Sequence, residues 1–230
     1  MDVKTAFLYP AIEEEVYITV PKSYNEFHPS NKASGAVFRL VKTLYGLRQS
    51  PLAWFKVLDR LFKSRGLSRL NEDPSLYISK ELIIIIFVDD IVFFAQEIKQ
   101  IEKAKAWPAR EFKMVDLGDL KLFLGMQITR DRPKRTRFLD QERYIRKVLQ
   151  RCQMENCNGF IIPMDTNLSL NRPDQENIIG IQEYQSLVGN IMYAMIGTRP
   201  DLAYTISTLS KFNFCPAVEH HGAAKRVLRY

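Results

Sequence analysis

Residues 82–95 read Leu82-Ile83-Ile84-Ile85-Ile86-Phe87-Val88-Asp89-Asp90-Ile91-Val92-Phe93-Phe94-Ala95. Two β-branched and aromatic segments flank two adjacent aspartates, the pattern of a buried hairpin with both carboxylates at its tip. Two like charges held together in a partly dry place repel, and one pKa rises unless a cation neutralises them. Hard divalent cations with oxygen ligands, Mg²⁺ above all, suit such a pair. A solvated turn is the competing reading, because aspartate is common in turns. A third carboxylate, Asp2, lies in another short strand-like stretch, Met1-Asp2-Val3-Lys4-Thr5-Ala6-Phe7-Leu8. Three carboxylates around two Mg²⁺ ions form the machinery for attack at a phosphate.

The 230 residues are 46% hydrophobic and 26% charged, which excludes wholesale disorder and suffices for one large domain or two small ones. Lys and Arg number 33 against 26 for Asp and Glu, a formal charge of +7 that suits an anionic partner, nucleic acid first. The three cysteines, an odd number, offer no disulfide framework and point to a reduced, intracellular setting, cytoplasmic or nuclear. The N-terminus has no charged-then-apolar signal segment. The apolar run ending at Val88 falls far short of the about 20 residues a membrane span needs. These readings set aside a secreted scaffold and a membrane protein.

The first half reads as mixed strand and helix. Strands are expected over residues 2–8, 15–20, 37–44 and 121–129, the last with a glycine inside, and a surface loop over 21–35. Ser50-Pro51 opens a helix with Ser50 at the N-cap and Gly66 just past the end, its apolar face carrying Leu52, Phe55, Leu58 and Phe62. A helix from residue 98 is expected to stop or kink at Trp107, because Pro108 disfavours α geometry before it. The second half reads as helical over 141–154, 183–196, 200–212 and 219–230, with a connector over 156–180. The period changes near residue 130.

Several short motifs follow one another along the chain: Asp2-Val3-Lys4-Thr5-Ala6-Phe7, Leu44-Tyr45-Gly46-Leu47-Arg48-Gln49-Ser50-Pro51, Phe87-Val88-Asp89-Asp90 and Phe123-Leu124-Gly125-Met126. Tyr184-Gln185-Ser186-Leu187-Val188-Gly189, Thr198-Arg199-Pro200-Asp201-Leu202-Ala203-Tyr204 and Ala223-Ala224-Lys225-Arg226-Val227-Leu228-Arg229-Tyr230 continue the series. In this order and spacing they closely resemble the reverse transcriptase of Ty1/copia-type retrotransposon polyproteins, over nearly the whole chain.

That resemblance implies an α+β fold: a right-hand polymerase palm of antiparallel strands with helices over residues 1–130, a basic loop, helix and connector over 131–182, and a helical thumb over 183–230. It implies that Asp2, Asp89 and Asp90 are catalytic and, with the Val3 carbonyl, bind two Mg²⁺ ions, for which Mn²⁺ substitutes. Phe7 stands where the family places the aromatic gate beneath the nucleotide sugar, although a lone phenylalanine is more often core. Gly46, Arg48 and Gln49 resemble the loop touching template and incoming nucleotide. Phe123, Leu124, Gly125 and Met126 resemble the primer grip, and Gly189 and Tyr193 lie on the helix that follows the duplex groove. A glycine inside a helix costs about 1 kcal/mol, so close approach of another backbone or helix–helix contact is wanted as its reason. Lys113 corresponds to the lysine that protonates pyrophosphate. The implied partners are an RNA or DNA template with a DNA primer, deoxynucleoside triphosphates, and contiguous RNase H and integrase parts of a polyprotein.

Five basic residues fall in Arg130-Asp131-Arg132-Pro133-Lys134-Arg135-Thr136-Arg137, either a phosphate grip or a solvated loop between strands. Cys152-x4-Cys157 and Cys215-x4-His220 depart from the usual zinc spacing, and the cysteines read as buried free thiols in preference to zinc ligands.

The chain begins one residue before Asp2, upstream of which the family places its fingers, and Phe87 replaces a commoner tyrosine. Two readings follow. The chain is the palm and thumb of an RNA-directed DNA polymerase, or it is a truncated element remnant that binds duplexes without catalysis. Positioning of the triphosphate supplies much of phosphoryl-transfer catalysis, so the truncated chain is expected to be inactive or weak.

Overall fold

The computed structural model describes residues 1–21, 24, 37–165, 167–172, 178 and 180–230. They divide into two compact units, Met1–Asp119 and Leu120–Tyr230. The first runs through β1 (Asp2–Val3), a 3-10 turn (Ala6–Leu8), β2 (Tyr17–Thr19), β3 (Val37–Arg39) and α1 (Ser50–Ser64). It continues with β4 (Ser68–Arg69), β5 (Leu76–Ile78), β6 (Leu82–Phe87), β7 (Asp90–Ala95), α2 (Ile98–Glu111) and β8 (Met114–Val115). One antiparallel sheet has the order β4-β5-β6-β7-β1-β8, and β2 pairs with β3.

Side-chain alternation along β6 and β7 decides which face of this sheet is covered. The partners Leu82 and Ala95, Ile84 and Phe93, and Ile86 and Ile91 point one way and pack with Trp54, Leu58 and Phe62 of α1 and Ala104 of α2. Ile83 and Phe87 point the other way and are exposed. Period-two alternation therefore assigns one face to the helices and leaves the other open at Ile83 and Phe87, although Val92 on that face is buried. Val3 is buried in the helical core, so its neighbour Asp2 lies on the open face.

Several local expectations give way here. The strand expected over residues 2–8 is only two residues long, because Thr5 adopts φ 54 and turns the chain so that Ala6 enters the core. Ser50 begins α1 but makes no side-chain cap; its hydroxyl donates to the Leu44 carbonyl at 2.5 Å. Leu52 is exposed, and Trp54 and Leu61 fill the buried face with Leu58 and Phe62. Helix α2 runs through Pro108 to Glu111. The proline is buried and the Phe112 N–H donates to its carbonyl at 2.8 Å, so tertiary packing overrides the local bias. The loop expected over 21–35 lies, apart from Pro21 and Tyr24, outside the described residues.

The second unit comprises β9 (Leu122–Phe123), β10 (Met126–Asp131), β11 (Thr136–Asp140), α3 (Glu142–Arg151), α4 (Ile181–Gly197), a 3-10 turn (Pro200–Leu202), α5 (Ala203–Ser210) and α6 (Val218–Leu228). The three strands pair in the order β11-β10-β9. The strand expected over 121–129 is thus a hairpin, since Leu124 (φ 48) and Gly125 (φ 80) reverse the chain between Phe123 and Met126. Tyr184, Leu187, Val188 and Ile191 of α4 pack with Ile206, Leu209, Ala224 and Val227. His220, fully buried, caps α6 by accepting the Ala217 N–H on Nδ1 at 2.9 Å. Among the described residues no helix is long and apolar enough to cross a membrane.

Candidate active site

Asp2 and Asp90 are directly opposed across β1 and β7. The Val3 N–H donates to the Asp89 carbonyl at 2.8 Å and the Ile91 N–H to the Met1 carbonyl at 2.9 Å. Bonds on either side of the pair make it the non-hydrogen-bonded type, whose side chains come closest. Both carboxylates therefore project from the open face of the sheet, away from the helices.

Phe87 and Asp90 close the β6–β7 hairpin, leaving Val88 and Asp89 as its two-residue turn. Val88 adopts φ 52, a conformation that a β-branched residue rarely enters. The Trp54 indole N–H donates to the Val88 carbonyl at 2.8 Å, fastening the turn to α1. Asp89 Oδ1 is buried and has no hydrogen-bond partner among the described residues. Burial, then the charges of Asp2 and Asp90, push the Asp89 carboxyl above the usual carboxylate range. Lys4 answers part of that charge: its Nζ lies 2.8 Å from Asp2 Oδ2.

Among the described residues no three His, Cys, Asp or Glu side chains form a ready-made metal cage. The donor set nonetheless suits a hard divalent cation. It offers anionic oxygen from three carboxylates, one of them with a buried oxygen that has no donor among the described residues.

The residues expected to meet the nucleotide gather beside this strand. The Phe7 ring packs on Tyr45 with centroids 4.8 Å apart, and Thr43 Oγ1 donates to the Phe7 carbonyl. Gly46, exposed at φ 93, begins the turn that carries exposed Arg48 and partly buried Gln49 into α1. Lys113 is exposed, and its carbonyl accepts the Lys4 N–H at 2.9 Å.

In the second unit, the hairpin Phe123–Met126 and the α4 residue Tyr193 are joined. Tyr193 Oη donates to the Leu124 carbonyl at 2.6 Å, and the ring packs edge-on against Tyr144, centroids 4.6 Å apart. A Cβ on Gly125 would lie 2.5 Å from Tyr193 Oη, so this approach requires glycine. Gly189 has open space where a Cβ would stand, so helix–helix contact does not account for it. The basic stretch forms the tip of the β10–β11 hairpin and the strand ends beside it, where exposed Arg130 faces exposed Arg137.

A model of the family described as Reverse transcriptase (RNA-dependent DNA polymerase) matches residues 1–166. The chain belongs to this family. It is similar over its full length to the retrovirus-related Pol polyprotein of transposon TNT 1-94 of Nicotiana tabacum, at 34% identity and covering 18% of that polyprotein. It is 30% identical to the Pol polyprotein of transposon RE2 of Arabidopsis thaliana, of which it spans 16%. A transposon Ty5-1 protein of Saccharomyces cerevisiae is 30% identical over the whole chain, which covers 74% of that protein. The chain thus spans less than a fifth of the first two relatives and most of the third. No solved structure matches it significantly.

For this member of the reverse transcriptase family, sequence reasoning missed three residues of the site. Lys4 is two positions from Asp2, so period-two alternation was a signal that both share a face. Tyr45 lay inside the motif spanning residues 44–51, with nothing to show that it would meet Phe7. Trp54 gave no signal, because its bond to Val88 spans 34 residues.

Proposed function

We propose that this chain is the palm and thumb portion of an RNA-directed DNA polymerase, extending a DNA primer on an RNA or DNA template with deoxynucleoside triphosphates. The observation that carries the reading is the opposed Asp2–Asp90 pair beside the unpartnered Asp89 oxygen on the open face of an antiparallel sheet. Asp2, Asp89, Asp90 and the Val3 carbonyl would hold two Mg²⁺ ions. Such ions supply activation of the primer 3′-hydroxyl and neutralisation of charge at the α-phosphate.

The chain's own residues do the rest. The backbone bonds between β1 and β7 and the Trp54–Val88 bond hold the carboxylates in register before any ligand arrives. Phe7, backed by Tyr45, presents a ring to the nucleotide sugar, and Arg48 and Gln49 offer charge and hydrogen bonds beside it. Lys113 supplies a proton to the departing pyrophosphate. Phe123, Leu124, Gly125 and Met126 form one surface with Tyr193 and Gly189 for the primer and duplex. In this reading residues 1–130 are palm, 131–182 a basic connector and 183–230 thumb, with RNase H and integrase parts contiguous in the polyprotein.

A second reading, a duplex-binding module without catalysis, is favoured by the basic hairpin. Like charges directly opposed on neighbouring strands cost stability, and an exposed Arg130–Arg137 pair is relieved by phosphate.

Extension of a DNA primer on an RNA template, with Mg²⁺ and then Mn²⁺, tests the two. The D89N/D90N double variant serves as control. Extension that disappears in the double variant supports the polymerase. No extension with the duplex still bound leaves the binding module.

A further inference from the structure

We infer that Lys4 is a resident counter-ion of the carboxylate site, competing with the divalent cation for Asp2 and setting how tightly that cation is held. The inference rests on the reading of Asp2, Asp89 and Asp90 as the cation site. It adds a positioning residue that acts through Asp2.

The geometry makes Lys4 a competitor and not a bystander. Its Nζ lies 2.8 Å from Asp2 Oδ2, the partner side chains being 52% and 28% exposed. Lys4 follows Asp2 by two residues, so the ion pair forms on the open face that also carries Asp90. Its backbone is fixed as well: the Lys4 N–H donates to the Lys113 carbonyl at 2.9 Å, beyond the β1–β8 register of Val3 with Met114. The long aliphatic stem leaves the ammonium free to withdraw while that anchor stays put.

Charge decides the consequence. Asp2 and Asp90 stand opposed with Asp89 beside them, and Lys4 is the cation paired with Asp2. A divalent ion binding Asp2 must take the place of the ammonium at Oδ2, so every binding event includes breaking this ion pair. An exposed pair contributes about 0.2–1 kcal/mol, so removing it tightens cation binding by about 1.4- to 5-fold. Removing it also leaves the opposed aspartates with less compensation when no divalent ion is present, the Met1 ammonium being another positive charge that acts on both.

Mn²⁺ binding to the full chain, followed by electron paramagnetic resonance, tests this without reference to catalysis. The variants are K4Q, K4R, K99Q and D89N/D90N. Lys99 lies at the start of α2, beyond the other end of β7, and reports the effect of net charge alone. The expected result is Mn²⁺ binding that is lost in D89N/D90N, tightened about 1.4- to 5-fold in K4Q, and no tighter than wild type in K4R. K99Q leaves it unchanged. Thermal melting adds a second readout: K4Q lowers the melting temperature in EDTA, and saturating Mn²⁺ closes the gap to wild type.

Equal Mn²⁺ binding by wild type and D89N/D90N removes the cation site itself and the inference with it. Binding that is lost in D89N/D90N but unaltered in K4Q keeps the site and overturns the role of Lys4 alone. Should K4Q fail to fold, K4R decides: tighter binding there overturns competition, since arginine keeps the charge.

Discussion

Asp2 and Asp90 oppose one another across two strands that are bonded on both sides of the pair. A one-residue slip of β1 would move Asp2 into the helical core and Val3 out of it, so burial of Val3 locks the two charges together. The repulsion is thus built into the register, and the hydrophobic core sustains it.

Neutralising one member of the pair should stabilise the protein when no divalent cation is present. Asp90→Asn is expected to raise the unfolding free energy in EDTA by about 0.2–1 kcal/mol. Urea denaturation of the two proteins in EDTA measures it. A less stable variant would mean that the facing carboxylates do not repel.

Trp54→Phe keeps the aromatic packing against Tyr9 and Phe112 but removes the donor to the Val88 carbonyl. Leaving that carbonyl unpaired should cost about 1–3 kcal/mol. The loss should centre on the hairpin tip, seen as faster amide exchange in residues 87–90 than in α1. Uniform acceleration would assign the indole to general packing.

Gly125 and Tyr193 form a coupled pair in the second unit. Gly125→Ala introduces a side chain at φ 80 and 2.5 Å from Tyr193 Oη, costing about 1–2 kcal/mol for backbone strain alone. Tyr193→Phe costs about 0.5–1.5 kcal/mol by losing the bond to Leu124. In the Tyr193→Phe background Gly125→Ala should cost less than in wild type, because the clashing hydroxyl is gone. Strict additivity in the cycle would deny the contact.

His220 makes the second unit sensitive to acid. Burial holds its imidazole below the ordinary histidine value, so the unfolded chain takes up a proton before the folded one does. Stability conferred above the ordinary value of about 6.5 should therefore fall as pH drops below it, levelling off under the folded-state value. Amide protection in α6, taken relative to the intrinsic exchange rate at each pH, should fall from pH 7.5 to 5 in wild type. His220→Asn, which keeps an acceptor for the Ala217 N–H, should flatten the dependence.

The basic hairpin predicts a salt slope. Duplex binding by Arg130→Gln/Arg137→Gln should show a dependence on log salt shallower by about 1.8, from about 0.9 for each phosphate no longer neutralised. The same variant should be no less stable than wild type, since it removes an opposed like-charge pair. An unchanged slope would place the phosphates elsewhere.

The central hairpin, its two aspartates and the α+β character were legible because period-two alternation and β-branched runs are local properties of residues 82–95. The extent of helix α1 and the amphipathic α3 were equally plain, although Ser50 does not cap α1 and Leu52 is exposed. The continuation of α2 through Pro108 was not, because the proline's burial against other elements outweighs a local bias. The turn at Leu124 and Gly125 looked like a glycine inside a strand, since left-handed backbone leaves no mark in composition.

The sequence by itself determined which residues carry charge, which segments alternate and to which family the motifs belong. Only the tertiary structure decided that Asp2 faces Asp90, that Lys4 pairs with Asp2, that Trp54 holds the Val88 turn and that Tyr193 meets Leu124. Three of these relationships join residues 34 or more positions apart, and such pairings arise from strand register and core burial, which no short window of sequence contains. The fourth, between Lys4 and Asp2, spans two residues, yet its meaning depends on the charge that β7 brings opposite.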